Sequence, residues 1–127
     1  MSTQPKPTDS ELNILKILWE KGPLTVREVH EALNNTRQTG YTTTLKLMQI
    51  MIEKKLVKRD KSQRAHIYEA QIQQQDTQQH LVKNLLDQVF SGSTTSLVMQ
   101  ALSTKKASAE EIEQIRKMLD DYEGGTP

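Results

Sequence analysis

The stretch Tyr41–Lys55, YTTTLKLMQIMIEKK, opens with three consecutive threonines and then carries apolar residues at Leu45, Met48 and Ile52. Spacings of three and four put those apolar residues on one side of an α-helix. Thr42, Lys46, Gln49 and Glu53 line another side, which is polar, and Thr43 borders it. Short hydroxyls, a lysine and an amide at the leading end of a helix are groups that meet base edges and phosphates. The spacing predicts a DNA recognition helix. Taken alone, the same stretch also fits an ordinary amphipathic helix with a solvated face, and its neighbours decide between the two.

Upstream, Thr8-Asp9-Ser10-Glu11 has the form of a capping box, in which a hydroxyl and a carboxylate satisfy each other's backbone amides. A first helix follows to about Glu20, with Leu12, Ile14, Leu15, Leu18 and Trp19 inward, and Gly22-Pro23 stops it. Thr25-Val26-Arg27-Glu28 is a second capping box and opens a short helix to about Leu33, with Val29 and Leu33 inward. The free amides at its start, with Thr25, suit a DNA phosphate. Asn34–Gly40 is a turn-rich link carrying Arg37. A short capped helix, a polar turn and a longer helix with a polar leading end make a helix-turn-helix.

Downstream, Leu56–Arg59 and Ala65–Ala70 read as two short strands joined by the polar tip Asp60–Arg64, with Leu24-Thr25 as a minimal third strand. A basic hairpin directly after a recognition helix predicts a winged helix. Lys58, Arg59, Lys61 and Arg64 are expected to reach the DNA backbone or minor groove, where they position the protein without reading sequence.

Ile72–Asp76, IQQQD, reads as a joint and as the boundary between a DNA-binding domain over residues 1–72 and a helical domain over 73–127. Helices are expected over Thr77–Phe90, from Thr95 or Ser96 to Leu102, and from a third capping box at Ser108–Glu111 to about Tyr122. Their apolar residues Leu81, Leu85, Val89, Phe90, Leu97, Val98, Leu102, Ile112, Ile115 and Leu119 are the candidate dimerisation residues. A segment of 55 residues is too short to cover so many on its own. Pairing with a second copy buries them, and a two-fold dimer presents two recognition helices to a palindrome. The alternative is a monomer in which these helices fold back on the winged helix.

Composition narrows the function. The chain has 127 residues, 35% apolar and 4% aromatic, and no cysteine, which excludes disulfides, thiolate catalysis and thiolate metal sites. MSTQPKPTDSE has no apolar run, and no segment approaches a membrane span, so neither a signal peptide nor membrane insertion is expected and the cytoplasm is the expected location. Charge is divided: residues 1–72 carry a balance of +4 and residues 73–127 a balance of −3. Eight Lys and Arg residues lie between Arg37 and Arg64. That split fits a nucleic-acid module joined to a protein-contact module. His30, His66 and His80 are far apart and read as surface or interface residues, and there is no phosphate-binding glycine loop. No enzyme activity, metal or cofactor is expected. A second reading keeps the winged helix but uses it for protein contact alone, without sequence-specific DNA binding; the basic stretch argues against it.

Four pieces of the chain, in order, resemble the penicillinase-repressor family, the BlaI/MecI/CopY group of bacterial transcriptional repressors. They are TDSELNILKILWEKGPLTVREVHEAL from Thr8, YTTTLKLMQIMIEKKLVKRD from Tyr41, HIYEA from His66, and LLDQVFSGSTTSLVMQAL with SAEEIEQIRKMLDD from Leu85 and Ser108. The resemblance spans Thr8 to Tyr122. It implies a mainly α fold, a winged helix-turn-helix with a small β-hairpin wing plus a C-terminal helical dimerisation module, bound as a dimer to a palindromic operator to block transcription. By position it implies base reading by Thr42, Thr43 and Lys46, with Thr44 and Gln49 as further candidates, and backbone contacts from Arg37, Lys58 and Arg64. Three departures stand out. Ile50 replaces an arginine common in the family, and Lys55 replaces a glycine, so the turn into the wing is expected to differ. Members that respond to β-lactams have an upstream membrane protease system that leads to cleavage of an Asn-Phe bond; the matching bond here is Gln100–Ala101, which does not fit that route. The Cys-rich tail of copper-responsive members is also missing.

Overall fold

The computed structural model describes residues 6–35 and 38–125. The fold is mainly α. In chain order it runs α1 (Asp9–Lys21), α2 (Val26–Asn34), α3 (Tyr41–Glu53), β1 (Val57–Asp60), β2 (Ile67–Ala70), α4 (Gln74–Gln88), α5 (Thr94–Thr104) and α6 (Ala109–Gly125). No described helix is long and apolar enough to cross a membrane.

The three capping boxes form. At α1 the Glu11 amide donates to Thr8 Oγ1 at 3.2 Å and the Thr8 amide donates to Glu11 Oε1 at 2.9 Å. Thr25 and Glu28 repeat the pattern at α2, and Ser108 and Glu111 at α6. Gly22, at φ 85°, ends α1, and its amide donates to the Leu18 carbonyl at 2.9 Å. That left-handed backbone is costly for any side chain with a Cβ, which accounts for glycine there.

The core of the N-terminal unit is aliphatic with one tyrosine: Ile14, Leu15, Leu18, Val26, Val29, Leu33, Met48, Met51, Leu56, Val57 and Tyr68 are buried. Helices α1, α2 and α3 each contribute a stripe, and the hairpin closes one side. Strands β1 and β2 pair antiparallel with Val57 opposite Ala70, Lys58 opposite Glu69 and Arg59 opposite Tyr68. Leu24 pairs with Tyr68 through two backbone bonds, of 2.9 and 2.7 Å, and so forms the expected third strand as a single bridge. Trp19 is partly buried against this core, and its Nε1 donates to the Ile72 carbonyl at 2.9 Å. This architecture is a winged helix-turn-helix.

The turn out of α3 keeps the form that glycine usually makes. Lys54 caps the helix, Lys55 adopts φ 65°, the Lys55 amide donates to Ile52 O at 3.0 Å and the Leu56 amide to Met51 O at 2.9 Å. This pair of bonds is the Schellman arrangement. The expected change of turn at Lys55 does not occur: its backbone enters the left-handed region, because Leu56 and Val57 must both be buried immediately afterwards. That conformation carries strain for lysine. Lys55→Gly is therefore expected to stabilise the protein by about 0.5–1 kcal/mol, after allowing for the greater freedom of glycine in the unfolded chain. Urea denaturation followed by Trp19 fluorescence measures it, and an unchanged or lower midpoint contradicts it.

The chain divides into two compact units, residues 1–81 and 82–127. The division falls inside α4, whereas the boundary is expected between residues 72 and 73, at the joint Ile72–Asp76. Within the joint Ile72–Asp76 the helix α4 already begins at Gln74, before the expected Thr77. Thr77 is buried, with its hydroxyl donating to the Gln73 carbonyl at 3.0 Å, and Ile72 packs against the N-terminal core. In the second unit no residue between 82 and 123 is buried.

Candidate nucleic-acid interface

Helix α3 turns one face to the core and the opposite face to solvent. Thr44, Met48 and Met51 are buried, and Leu45, Leu47 and Ile52 pack at the margins. Thr42, Thr43, Lys46, Gln49 and Glu53 are exposed. The polar side predicted for this helix is thus its outward side, and four of the five α3 candidates stand on it.

Thr44 is the correction. It is expected among the base-reading candidates, but it lies inside the helix-turn-helix, fully buried. Its hydroxyl donates to the Gly40 carbonyl at 3.3 Å and lies 3.3 Å from His30 Nδ1. Asn34 Nδ2 lies 3.0 Å from His30 Nε2, and Asn34 Oδ1 accepts from the Thr39 amide at 3.0 Å. These contacts define one tautomer. Asn34 donates to Nε2, so the proton of a neutral ring sits on Nδ1 and is donated to Thr44, whose own proton goes on to Gly40. Every polar group in this chain of bonds has a partner, and that is what lets a threonine and a histidine occupy the junction of α2 and α3. His30, which reads from sequence as a surface or interface residue, is half-buried and internal. His66 and His80 are exposed.

A groove of about 350 Å³ opens where α2, α3 and the wing converge. It is lined by Thr25, Val26 and Arg27 from the start of α2, by Tyr41 and Leu45 from α3, and by Arg64, Ala65, His66 and Tyr68 from the hairpin. Arg27 lies over the Tyr41 ring, 5.8 Å from its centroid, and His30 meets the same ring edge-on at 5.5 Å. Tyr41 is therefore held in place although the residue is 42% exposed. The Thr25 oxygen and amide are taken by the capping box, which leaves the hydroxyl proton and the amides of Val26 and Arg27 outside the helix's own bonds. Two guanidinium groups, a phenol and these amides suit an anion such as a backbone phosphate. Sequence pattern does not single out Arg27, Tyr41 or His66 for this role. The one signal it carries is the position of Arg27 in the first turn of a capped helix beside the recognition helix.

Along the wing the candidates separate. Lys58 is on the outer face, 3.3 Å from its cross-strand neighbour Glu69, which offsets part of its charge. Lys61 and Arg64 are exposed at the tip. There the Ser62 amide donates to Asp60 Oδ1 at 2.8 Å, and that bond with the Ser62 side chain holds the Asp60 carboxyl below its usual range. Arg59 alternates to the other face, with Val57 beside it and Tyr68 opposite; it is half-buried, and its Nε is buried without a hydrogen-bond partner. The period of two along a strand accounts for this, since Lys58 and Arg59 cannot share a face. Arg37 lies outside the described residues.

Of the candidate dimerisation residues, Leu81 ends the first unit and is half-buried, and all the others lie in the second unit, half-buried or exposed. Leu85, Val89, Val98, Leu102 and Leu119 are exposed, and so are Met99 and Met118, which are not among the candidates from sequence. Gln100–Ala101 lies within α5 with both residues exposed. Among the described residues no group of three His, Cys, Asp or Glu is placed to hold a metal ion.

A model of the penicillinase repressor family matches residues 7–121. The chain is 24% identical over 112 residues to the penicillinase repressor of Staphylococcus aureus, covering 88% of this chain and 89% of that protein. It is 32% identical over 121 residues to the transcriptional regulator BlaI of Mycobacterium tuberculosis, covering 92% and 85%. The solution structure of the DNA binding domain of the repressor BlaI is similar with a TM-score of 0.52 and 25% identity, over 60% of this chain and 93% of that one. The solution structure of the monomeric form of Bacillus licheniformis BlaI in complex with the blaP half-operator is similar to the same degree, with a TM-score of 0.52 and 25% identity over the same shares.

Proposed function

Because the chain belongs to the penicillinase repressor family, a family of DNA-binding transcriptional repressors and not of enzymes, we propose that it acts in the cytoplasm as a homodimer on a palindromic operator. In this reading α3 enters the major groove, with Thr42, Thr43, Lys46 and Gln49 at base edges. Arg64, Lys58 and Lys61 of the wing take backbone phosphates on one side. The groove of Thr25, Arg27, Tyr41 and His66 takes one more, and Arg37 completes the backbone contacts. The observation that carries the reading is the outward face of α3, which gathers these exposed polar and cationic groups on a helix fixed from behind by Met48 and Met51. The dimer is supported by the second unit, whose apolar side chains have no buried position within one chain. Release by an upstream membrane protease would act on a bond other than the family's Asn-Phe, since Gln100–Ala101 stands in its place.

The test is selection of bound sequences from random duplex DNA by the purified protein, with its mass measured in solution. A two-fold symmetric site bound by a dimer is the expected result, with affinity falling on the order of tenfold or more between 50 and 200 mM salt. Thr43→Ala and Lys46→Ala are each expected to weaken the selected site about tenfold while weakening unrelated duplex less. Fluorescence anisotropy titrations with both duplexes decide it. If both variants bind the selected site as the wild type does, the reading face has been misassigned.

A further inference from the structure

We infer that Ile50 reads the 5-methyl group of a thymine in the operator, and so sets part of the sequence preference of this repressor. The inference rests on the DNA-binding reading above and deepens it at one position. Leu45, Leu47, Met48, Met51 and Ile52 of α3 all lie in or against the core. Ile50 does not: it is 38% exposed. At 100° per residue it projects between Thr43 and Lys46 on the outward side, one turn, or about 6 Å, beyond Lys46 along the axis. Among the described residues of the first unit, Tyr41 and Ile50 are the large apolar side chains that stay exposed. Tyr41 is accounted for by Arg27 and His30, which hold its ring. Ile50 stands among the exposed polar residues Thr43, Lys46 and Gln49.

An isoleucine can neither donate nor accept a hydrogen bond, so it cannot read the polar edges that Thr43 and Lys46 read. The one apolar feature on the base edges of the major groove is the thymine methyl. A branched aliphatic side chain pressed against that methyl removes both from water, and burying one such group is worth about fourfold in affinity.

Two linked measurements test this. In the first, selection from random duplex is run with wild type, Ile50→Ala and Ile50→Arg. Wild type should return thymine at one position of each half-site, Ile50→Ala should lose the preference at that position alone, and Ile50→Arg should replace it with guanine, whose O6 and N7 accept from a guanidinium. In the second, thymines of one half-site are replaced singly by uracil, which lacks only the methyl. Wild type should weaken about fourfold at the same position, and Ile50→Ala should be indifferent there. Equal binding of wild type to every uracil-substituted site overturns the assignment, as does an Ile50→Ala protein that keeps the uracil sensitivity. Should wild type select no site at all, the DNA-binding reading itself fails, an outcome distinct from both. The position is exposed, so both substitutions leave the fold intact, which circular dichroism verifies.

Discussion

Replacing Leu85 and Leu119 together by aspartate is expected to make the protein a monomer and to lower its affinity for a two-fold operator by about a hundredfold or more. The two residues are 43% and 58% exposed, so neither is buried within the single chain. What they remove is a reason to associate. Met99 and Met118 are also exposed, and nothing from 82 to 123 is buried, so much of the apolar surface of α5 and α6 faces water in the single chain. Burying a leucine contributes about 1.5–3 kcal/mol, and two-fold symmetry makes each substitution count twice. An aspartate in its place adds the cost of taking a carboxylate out of water. Once separated, each winged helix binds its half-site alone and the gain from linking them is lost. Sedimentation equilibrium reports the mass, and anisotropy titration on full and half operators reports the affinity. Binding of the half operator should be nearly unchanged, which separates lost pairing from a damaged recognition helix. A double variant that keeps the mass and affinity of the wild type would show that these helices are not the interface.

Much of the first unit is legible in the sequence because its signals are local. Two capping boxes, Gly22 after α1 and the alternating hairpin each depend on residues within a few positions of one another, and each forms; the box at Ser108 and Glu111 in the second unit forms for the same reason. The outward face of α3 is legible for the same reason, since a helical period sorts Lys46 and Gln49 from Met48 without knowledge of the neighbours. The features that escape such reading depend on partners distant in sequence. Thr44 reads as polar and therefore as exposed; only His30 and Gly40 together make its burial possible. Arg59 reads as one more basic wing residue until the register with Tyr68 assigns its face. The start of α4 is hidden by glutamine, which suits both a polar joint and a helix. What keeps its first turns with the N-terminal unit is the bond from Trp19 to Ile72 and the burial of Thr77, and neither is visible as a pattern.

Lys54→Met is expected to destabilise the N-terminal unit by about 2 kcal/mol at neutral pH, with the difference shrinking as pH falls below about 4.3 and through the folded pKa of Glu11. Glu11 is buried in the first turn of α1, and one oxygen of its carboxylate takes two donors, the Lys54 ammonium at 2.7 Å and the Thr8 amide at 2.9 Å. Burial by itself raises the pKa of this carboxyl; the bonds from Lys54 and Thr8 outweigh it, so the net shift is downward. A carboxylate whose folded pKa lies below its unfolded value adds stability that is present above the unfolded pKa, about 4.3, and lost as pH falls through the folded one. Methionine keeps the packing of the lysine stem and removes the ammonium, leaving a buried anion with too few donors. Breaking a fully buried pair costs about 3–5 kcal/mol, and the smaller loss expected for this pair reflects Lys54, whose side chain is 33% exposed. In acid the carboxyl of the variant is protonated and the penalty disappears, while the wild type loses its own advantage, so the two curves converge. Trp19 is the chain's one tryptophan and packs on this core, so urea denaturation read by its fluorescence at pH 7 and at a series of pH values falling from about 4.3 reports the unit concerned. A difference independent of pH would mean that Lys54 acts through packing and not through charge. The pair also has a functional side. Lys54 caps the C-terminus of α3 and Glu11 belongs to the cap that starts α1, so the ion pair ties the end of the recognition helix to the scaffold behind it. Loosening that tie frees the far end of the helix, where Ile50 stands, while the leading threonines remain held by the junction with α2. The affinity lost by Lys54→Met should therefore fall most heavily on the base pair selected by Ile50, and a loss spread evenly over the half-site would argue against this coupling.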